Sequence, residues 1–414
     1  MPPAHAGGFH TIMKISIPKP LGILITLTIL GVLIFTRVQI SLGFDVPNSN
    51  FSFFWLAGRM ILDGENPYDE TQYLAGHDAN SMDWRPNRIF PYPLPLTLFC
   101  IPLGFFSMKT AYIIWQVVTL LIVALTIYLL LNQWQEKAQQ NLLLPIFFFL
   151  LFWGPLYLTT HAGTFSAFSL IILLGAILLL EKDKSMLAGI VLAFTMLKPP
   201  QGLTILLLAG VWFLARRDWK AITGVASGGL LILIVGLIQD PQWIQKFLGA
   251  GDAVMDRTLG VHSNVWAFAY LGCDGASPCA NILGGVMSAS LLGGASLLLW
   301  KNQAQWSAWE AMNLIIPVGF VSTIYLWAYD QLPYVIPIVW IVGTLVHKQR
   351  SILLAFFFLI LLDLASIFAL VQQAFTEKDL WSLGSTLLVL VFLVIAYRMK
   401  PKPAIDKAPA SAIK

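Results

Sequence analysis

Long apolar runs recur along almost the whole chain, and they constrain the fold more than any other feature. Twelve of them approach or reach spanning length, which is ~20 residues for an α-helix in a bilayer. Apolar residues make up 57% of the sequence and charged residues only 11%, whereas soluble domains carry roughly 25% charged residues. Because backbone groups in lipid must be paired within their own segment, these runs are expected to be helical. The sequence therefore predicts an all-α polytopic membrane protein of about twelve transmembrane helices.

The predicted spans are joined by mostly short turns. They are Leu21–Ile40, Lys109–Leu131, Leu142–Thr160, Phe165–Leu180, Met186–Leu197, Leu203–Ala215, Ala221–Ile238, Ala280–Leu299, Ala311–Leu326, Pro333–Val346, Ile352–Val371 and Trp381–Tyr397. The apolar run Pro93–Phe106 is too short to cross alone, so we expect it to be re-entrant or interfacial. The membrane domain then covers 21–398, between an N-terminal tail at 1–20 and a flexible Lys/Pro/Ala-rich tail at 399–414.

The basic residues indicate the topology. Of the 25 Lys and Arg residues, 16 lie in the two termini and one alternating set of turns, which the positive-inside rule places in the cytoplasm. We therefore expect a plasma-membrane protein with both termini cytoplasmic and with the loops 41–92 and 239–279 outside. The net charge of +4 follows from this topology. A membrane protein of this kind is expected to contact membrane lipids. Because its net charge comes from the turns between spans, that charge does not indicate a nucleic-acid partner.

The first outer loop is long, polar and aromatic. Between Phe44 and Pro93 it holds seven acidic and three basic residues. The apolar spacing within 50–62 predicts a helix with an aromatic stripe, which is typical of the membrane interface and would bring Arg59 near phosphate groups. Three prolines within 90–95 predict a rigid, extended return to the membrane beside Tyr92.

Other polar residues lie at predicted outer helix ends, where clustered ionisable groups indicate function. They are His161, Lys198, Gln201, His262 and Asp330. Structural roles stay open for several of them: His161 as a packing residue, Lys198 as a snorkelling lysine and Asp330 as a partner for a neighbouring helix. Nucleotide-binding glycine motifs and zinc-ligand spacings are not found, so no cofactor and no metal are expected.

Two cysteines flank a short turn in the second outer loop. Cys273 and Cys279 would close a small disulfide loop in an oxidising compartment, and two unpaired thiols are the alternative.

Three blocks in the first outer loop resemble the start of glycosyltransferase family 87. They are Phe-x-x-aromatic-Trp-x-Ala after Asn50, Gly-x-x-Pro-Tyr at 64–68 and Phe-x-Tyr-Pro-x-Pro at 90–95. The resemblance extends over roughly residues 20–345, including Lys-Pro-Pro-Gln at 198–201 and Trp-Ala-Tyr-Asp at 327–330. It implies a GT-C-like bundle that transfers a hexose, mannose first, from a polyprenyl-phosphate donor to a lipid or glycan acceptor of the cell envelope.

Roles for individual residues follow from their chemistry and their place at the outer face, together with the resemblance. The donor-binding candidates are Asn50, Arg59, Tyr92, His161, Lys198, Gln201, His262 and Trp327. The catalytic candidates are Asp45 and Asp330. The family commonly has Asp where Asn50 stands, and an amide cannot take up a proton in that role. Asp45 is the nearest upstream carboxylate and the expected base; Asp330, His262 or a loss of activity are the alternatives.

A different class also fits a chain of this kind. A transporter or flippase of a lipid-linked substrate usually has paired halves with broken helices at matching positions. Such symmetry is not visible in this sequence, and Asp363 is the clearest mid-span ionisable residue. We therefore expect an enzyme.

Overall fold

The computed structural model describes residues 43–132, 152–258, 260–275, 277–347 and 352–399, with isolated positions in 28–39 and 145–150. For residues 252–258, 277 and 347 it describes the backbone alone. Every regular element in these ranges is a helix, as the sequence predicts. The predicted first span Leu21–Ile40, much of Leu142–Thr160 and both terminal tails lie outside the described residues.

The first eight helices lie in the first outer loop and in the segments that follow it. They are α1 (Asn50–Leu62), α2 (Glu70–Ala79), α3 (Thr97–Gly104), α4 (Met108–Leu131), α5 (Gly154–Ala162), α6 (Ser166–Leu180), α7 (Ser185–Ala193) and α8 (Pro199–Arg216). Short 3-10 turns at Val46–Asn48, Leu94–Leu96 and Phe194–Leu197 precede or follow them.

The second eight helices complete the described part of the chain. They are α9 (Trp219–Gln239), α10 (Trp243–Thr258), α11 (Val265–Gly272), α12 (Ser277–Asn302), α13 (Ala308–Ser322), α14 (Val335–His347), α15 (Ile352–Thr376) and α16 (Leu383–Met399). The 3-10 turns Ala328–Tyr334 and Leu380–Ser382 lead into α14 and α16.

Six helical segments in the described ranges are long and apolar enough to cross a membrane. They are Met108–Leu131, Trp219–Gln239, Pro278–Asn302, Ala328–Val346, Ile352–Thr376 and Leu380–Met399. A seventh crossing results if α5 and α6, which meet at a bend of 120°, form one broken span. The chain is therefore a multi-pass membrane protein. The sequence-based figure of about twelve helices is larger and stays a prediction. Two of the predicted spans lie wholly or partly outside the described residues, and the predicted spans Met186–Leu197 and Ala311–Leu326 fall on the shorter apolar helices Ser185–Leu197 and Ala308–Ser322.

The first outer loop is a folded unit. Nine of the thirteen residues of α1 are buried, among them Phe51, Phe54 and Trp55. The rings of Phe51 and Phe54 pack inside the protein against Tyr112 and Trp115 of α4. The predicted placement of α1 at the membrane interface stays a prediction, whereas its aromatic stripe serves in the structure as a packing surface.

The run Pro93–Phe106 folds back against α1. Its helical part, Leu94–Gly104, would span only ~16 Å at 1.5 Å per residue, which agrees with the prediction that it does not cross alone. A Cβ atom on Gly58 would lie 2.1 Å from the Cys100 carbonyl oxygen. The indole of Trp55 donates to the Phe106 carbonyl at 2.9 Å. Glycine at 58 thus allows the two backbones to touch.

Polar contacts join the first outer loop and the start of α3 to the end of α9. Asn66 donates to the Asp240 carboxylate at 2.9 Å, and Lys246 donates to the same oxygen at 2.7 Å. Thr97 donates to Gln239 at 3.0 Å. The predicted outer loops 41–92 and 239–279 therefore meet through hydrogen bonds. In the second of these loops Cys273 and Cys279 are joined by a disulfide, with Cα atoms 5.7 Å apart.

Helices α7 and α9 cross at van der Waals distance. A Cβ atom would meet backbone oxygen at 2.1 Å on Gly189 of α7 and also on Gly224 of α9. Small residues at such crossings are the usual means of helix association in membranes, where lipid supplies no hydrophobic drive between helices. This crossing holds α7 in place directly before the Lys198 corner.

We expect Gly224→Ala to destabilise the protein by about 1–3 kcal/mol, because the new methyl group would overlap the Met186 carbonyl oxygen. Gly229→Ala is the matched control, since a Cβ atom there meets nothing within 4 Å in the same helix. Thermal unfolding in detergent should show a lower midpoint for Gly224→Ala and an unchanged or slightly higher one for Gly229→Ala. Equal midpoints would contradict the tight crossing.

Candidate active site

The corner between α5 and α6 presents two hydroxyl groups. Gly163 ends α5 in the left-handed conformation at φ +66°, and a Cβ atom there would lie 2.6 Å from Phe51 Cβ. A residue with a side chain is strained in that backbone conformation. The chain then turns through 120°, so that Ser166 begins α6. The hydroxyl groups of Thr164 and Ser166 lie 3.2 Å apart and are buried.

Lys198 occupies a second corner, between the 3-10 turn Phe194–Leu197 and α8. Pro199 and Pro200 open α8, where proline suits the first turn because no intrahelical N–H bond is lost. A Cβ atom on Gly202 would lie 2.5 Å from the Thr195 carbonyl oxygen, so glycine lets the chain fold back tightly. Thr323 donates to the Pro200 carbonyl at 2.6 Å and fixes this corner to the end of α13.

Asp330 lies on the third corner, the 3-10 turn Ala328–Tyr334. Its Oδ2 atom accepts the backbone N–H of Trp327 at 3.1 Å, and the Tyr329 carbonyl accepts the Thr159 hydroxyl of α5 at 3.0 Å. The turn is thereby anchored at its start and against α5. Trp327 lies directly before this turn and Asp330 lies within it. Both are predicted site residues.

These three corners meet in a buried ion pair. Lys198 Nζ donates to Asp330 Oδ1, and Ser166 donates to the same oxygen at 3.1 Å. The two charged side chains are 6% and 0% exposed. Removing both charges from water costs several kcal/mol each, which only good geometry and further hydrogen bonds can offset. The predicted residues Lys198 and Asp330 therefore belong to one site.

Aromatic rings surround the lysine. Its Nζ atom lies 5.2 Å from the centre of the Tyr329 ring, within the range of a cation–π contact. Trp327 stacks beside Tyr329 with ring centres 6.2 Å apart. His262 meets Trp327 edge-on at 5.1 Å and Tyr325 at 4.5 Å. The site thus combines one buried cation with a wall of flat rings.

His262 is neutral at physiological pH. Burial and the nearby charge of Lys198 lower the pKa of its imidazole to about 4. Its Nε2 atom is buried and has no hydrogen-bond partner among the described residues. Buried polar atoms are nearly always paired, so this nitrogen is a candidate contact for a ligand hydroxyl.

Tyr92 brings the first outer loop to the site. Its ring packs on Phe54 at 4.9 Å, and burial, Tyr325 and Asp330 raise the pKa of its hydroxyl well above the usual value. The electrostatic effect of Asp330 means that this hydroxyl is close to the ion pair. A contribution of the proline-rich return of the loop to the site stays a prediction.

Two further predicted residues lie beside this centre. Gln201 is buried in the first turn of α8, and its Nε2 atom has no partner among the described residues. His161 ends α5, stacks on Tyr157 at 5.5 Å and contacts Phe44 at 4.4 Å between ring centres. The ring of His161 therefore packs against neighbouring aromatic rings, which is the packing role considered for it from the sequence.

The remaining predicted residues lie on the first outer loop away from the described contacts of the ion pair. Asp45 is exposed and accepts a hydrogen bond from Asn48 at 2.8 Å. Asn50 begins α1, with Ser49 as its N-cap. Arg59 is half-exposed and bonded to Asp63 at 2.8 Å. The contacts of Phe44 with His161 bring the Asp45 segment to the α5–α6 corner.

Ser166 and Asp379 belong to this region and were not predicted. Ser166 could have been found from its place directly after the Gly163-Thr164 corner, where a helix start presents hydroxyl groups. Asp379 is buried and accepts the backbone N–H of Ala328. The signal for it was its place in the short turn between the predicted spans Ile352–Val371 and Trp381–Tyr397. Among the described residues, no three His, Cys, Asp or Glu side chains are grouped so that they could hold a metal ion.

The sequence profile of glycosyltransferase family 87 matches residues 90–323, more than half of the chain. The chain belongs to glycosyltransferase family 87. The resemblance seen in the sequence is thereby confirmed, and membership indicates a membrane glycosyltransferase. The matched range includes Lys198 and ends shortly before the Asp330 turn. No curated protein and no solved structure matches the chain significantly.

We expect Lys198→Met to destabilise this family 87 protein by about 3–5 kcal/mol, because Asp330 would remain buried without its cation. The double variant Lys198→Met/Asp330→Asn should recover part of that loss. Arg88→Ala is the control, since the Arg88–Glu70 pair is exposed and should contribute less than about 1 kcal/mol. Unfolding midpoints in detergent are measured for these variants and for the single variant Asp330→Asn; a double variant as unstable as the sum of its two single variants would contradict the coupling.

The lowered pKa of His262 predicts a pH effect on stability. The unfolded state binds a proton near pH 6.5 and the folded state only near pH 4, so His262 destabilises the fold as pH falls through that window. His262→Gln should therefore lose less stability than the wild type between these pH values, by at most about 3 kcal/mol. Parallel pH-dependence in unfolding experiments would overturn the assignment of a neutral, buried imidazole.

Proposed function

We propose that the protein is a GT-C-type hexosyltransferase. In this proposal it takes mannose, or a related hexose, from a polyprenyl-phosphate donor and transfers it to a lipid or glycan acceptor of the cell envelope. The reaction takes place at the outer face of the plasma membrane, in a bundle of about twelve helices with both termini cytoplasmic. Family membership supports the reaction class. The disulfide between Cys273 and Cys279 supports an oxidising environment for the second outer loop.

The observation that carries the proposal is the buried Lys198 beside flat aromatic rings. A lipid-phosphate donor leaves as a phosphate, which needs a cation or hydrogen-bond donors to stabilise its charge. Lys198 supplies the cation in a low-dielectric site, where its effect is largest. Asp330 orients it through a direct contact, and Ser166 donates to the same carboxylate oxygen of Asp330. Arg59, bonded to Asp63 at the surface, is the weaker candidate for the same phosphate.

The sugar ring is proposed to lie against the aromatic wall. Trp327 and Tyr329 present stacked faces, and sugar C–H groups pack well on such faces while their hydroxyl groups need polar partners. Gln201 Nε2 and His262 Nε2 are buried atoms with no partner among the described residues, and they suit that purpose. Tyr92 and Asn50 would complete the donor pocket from the first outer loop, with His161 supporting its edge.

A general base must remove the proton from the acceptor hydroxyl. Asp330 already interacts with Lys198, Ser166 and the Trp327 N–H, so its oxygen lone pairs are largely occupied. Asp45 is exposed and accepts a bond from Asn48, so it has more capacity to take a proton. We therefore propose Asp45 as the base and Asp330 as the partner that orients Lys198. Asn50 is a hydrogen-bonding residue in this scheme.

The test is transfer of labelled mannose from polyprenyl-phosphate-mannose to lipid acceptors by the purified protein. We expect Lys198→Ala to lower kcat/KM about 10²- to 10³-fold and Asp45→Asn about 10²- to 10⁴-fold. Arg88→Ala, on an exposed pair of the same loop, should keep full activity.

The outcomes separate the alternatives. Activity with Asp45→Asn unimpaired but Asp330→Asn inactive would move the base to Asp330. No transfer by the wild type with any offered sugar donor, together with passage of the labelled lipid across vesicles, would favour a flippase. Neither transfer nor passage would identify an inactive family member.

A further inference from the structure

Asp379 is a buried acid outside the range that the family profile matches. It lies between α15 and the 3-10 turn Leu380–Ser382. Its two carboxylate oxygens have different partners: Oδ2 accepts the backbone N–H of Ala328, and Oδ1 accepts the Ser382 hydroxyl at 2.9 Å. Its own backbone N–H donates to the Val261 carbonyl at 2.7 Å. One residue thus binds three separate segments.

Two of those segments carry the proposed sugar site. Ala328 lies two residues before Asp330 in the same 3-10 turn, and Val261 directly precedes His262. The turn is held a second time from the same side, since Gln331 donates to the Ser382 carbonyl at 3.0 Å. The His262 loop is joined to the approach of the turn by Ser263, whose N–H donates to the Leu326 carbonyl at 2.9 Å. Asp379 therefore connects the backbone of the turn that carries Asp330 with the backbone next to His262.

We propose that Asp379 is a positioning residue that holds the Asp330 turn and the His262 loop in register from behind the site. The inference rests on the proposed function, because it assigns Asp379 to the site used there. The described contacts of Asp379 are all within the protein. Its effect on transfer would therefore act through the placement of Asp330 and, through Asp330, of Lys198.

The protonation state supports a positioning role. Burial, with a smaller contribution from the charge of Asp330, raises the pKa of Asp379 to about 8 against the lowering effect of the bonds from Ala328 and Ser382. Asp379 is therefore mainly protonated near pH 7, so that no second negative charge lies beside Asp330. The titratable groups that face it are Asp330 and Tyr329 on the 3-10 turn and His262 next to Val261.

Asparagine reproduces the shape and neutrality of the protonated acid. Its carbonyl can accept from Ala328 and its amide can donate to Ser382, so the register should survive. Above about pH 8 the wild-type acid ionises in a buried place beside Asp330, whereas Asn does not titrate. Since the unfolded acid is ionised from about pH 4 upward, this raised pKa destabilises the folded wild type increasingly up to about pH 8 and fully above it.

The experiment compares wild type, Asp379→Asn, Asp379→Ala and the exposed control Lys378→Gln. Mannose transfer from polyprenyl-phosphate-mannose and the unfolding midpoint are both measured from about pH 5 to about pH 9. We expect Asp379→Asn to keep neutral-pH transfer within about threefold and to lose the alkaline fall of the wild type. Its midpoint should rise relative to the wild type as pH increases. Asp379→Ala should lower kcat about tenfold or more, and Lys378→Gln should behave as the wild type.

Identical pH profiles of wild type and Asp379→Asn in both measurements, or full transfer by Asp379→Ala, would overturn the inference. If Asp379→Ala does not fold, Ser382→Ala replaces it, because that variant removes one contact and leaves the acid in place. A purely structural role would lower stability without moving the pH profile of transfer. Failure of the wild type to transfer any sugar would count against the proposed function, while the midpoint measurement would still test Asp379.

Discussion

The buried ion pair of Lys198 and Asp330 is the interaction on which the arrangement of the site depends. Two charges withdrawn from water demand exact partners, and three chain corners supply them. A different local feature restrains the backbone at each corner. These features are a left-handed glycine at 163, two consecutive prolines after Lys198 and the 3-10 turn that contains Asp330. The pair therefore sets the register of α5, α8 and α14 at one end of the bundle.

Close backbone contacts make that register possible. Lipid is as apolar as leucine, so helices in a membrane associate through close packing and hydrogen bonds. Gly58, Gly189 and Gly224 each lie where a Cβ atom would meet backbone oxygen at 2.1 Å. The contact at Gly58 joins α1 to the re-entrant run, and the contacts at Gly189 and Gly224 join α7 to α9. The first outer loop and the Lys198 corner are thus held by the same physical device.

The electrostatic setting of the site follows from burial. His262 is kept neutral by the lysine charge and by desolvation, and Asp379 is kept largely protonated by desolvation and by Asp330. One cation and one anion remain, surrounded by rings and by unpartnered polar atoms of Gln201 and His262 in the described part of the chain. This distribution of charge suits an anionic leaving group next to a neutral, hydroxyl-rich ring, which is the chemistry of the proposed donor.

The amino-acid sequence alone determined the helical membrane class and the family, and it indicated the short apolar run 93–106 and most residues of the candidate site. Run length, charge asymmetry and local motifs are properties of neighbouring residues, so they are readable without coordinates. Tertiary structure alone decided that Lys198 meets Asp330 across 132 positions, that the aromatic stripe of α1 packs inward, that Ser166 donates to Asp330 and that Asp379 accepts from Ala328. Those facts depend on which helix faces touch. In a chain that is apolar on nearly every face, periodicity does not distinguish a lipid-facing side from a packed one.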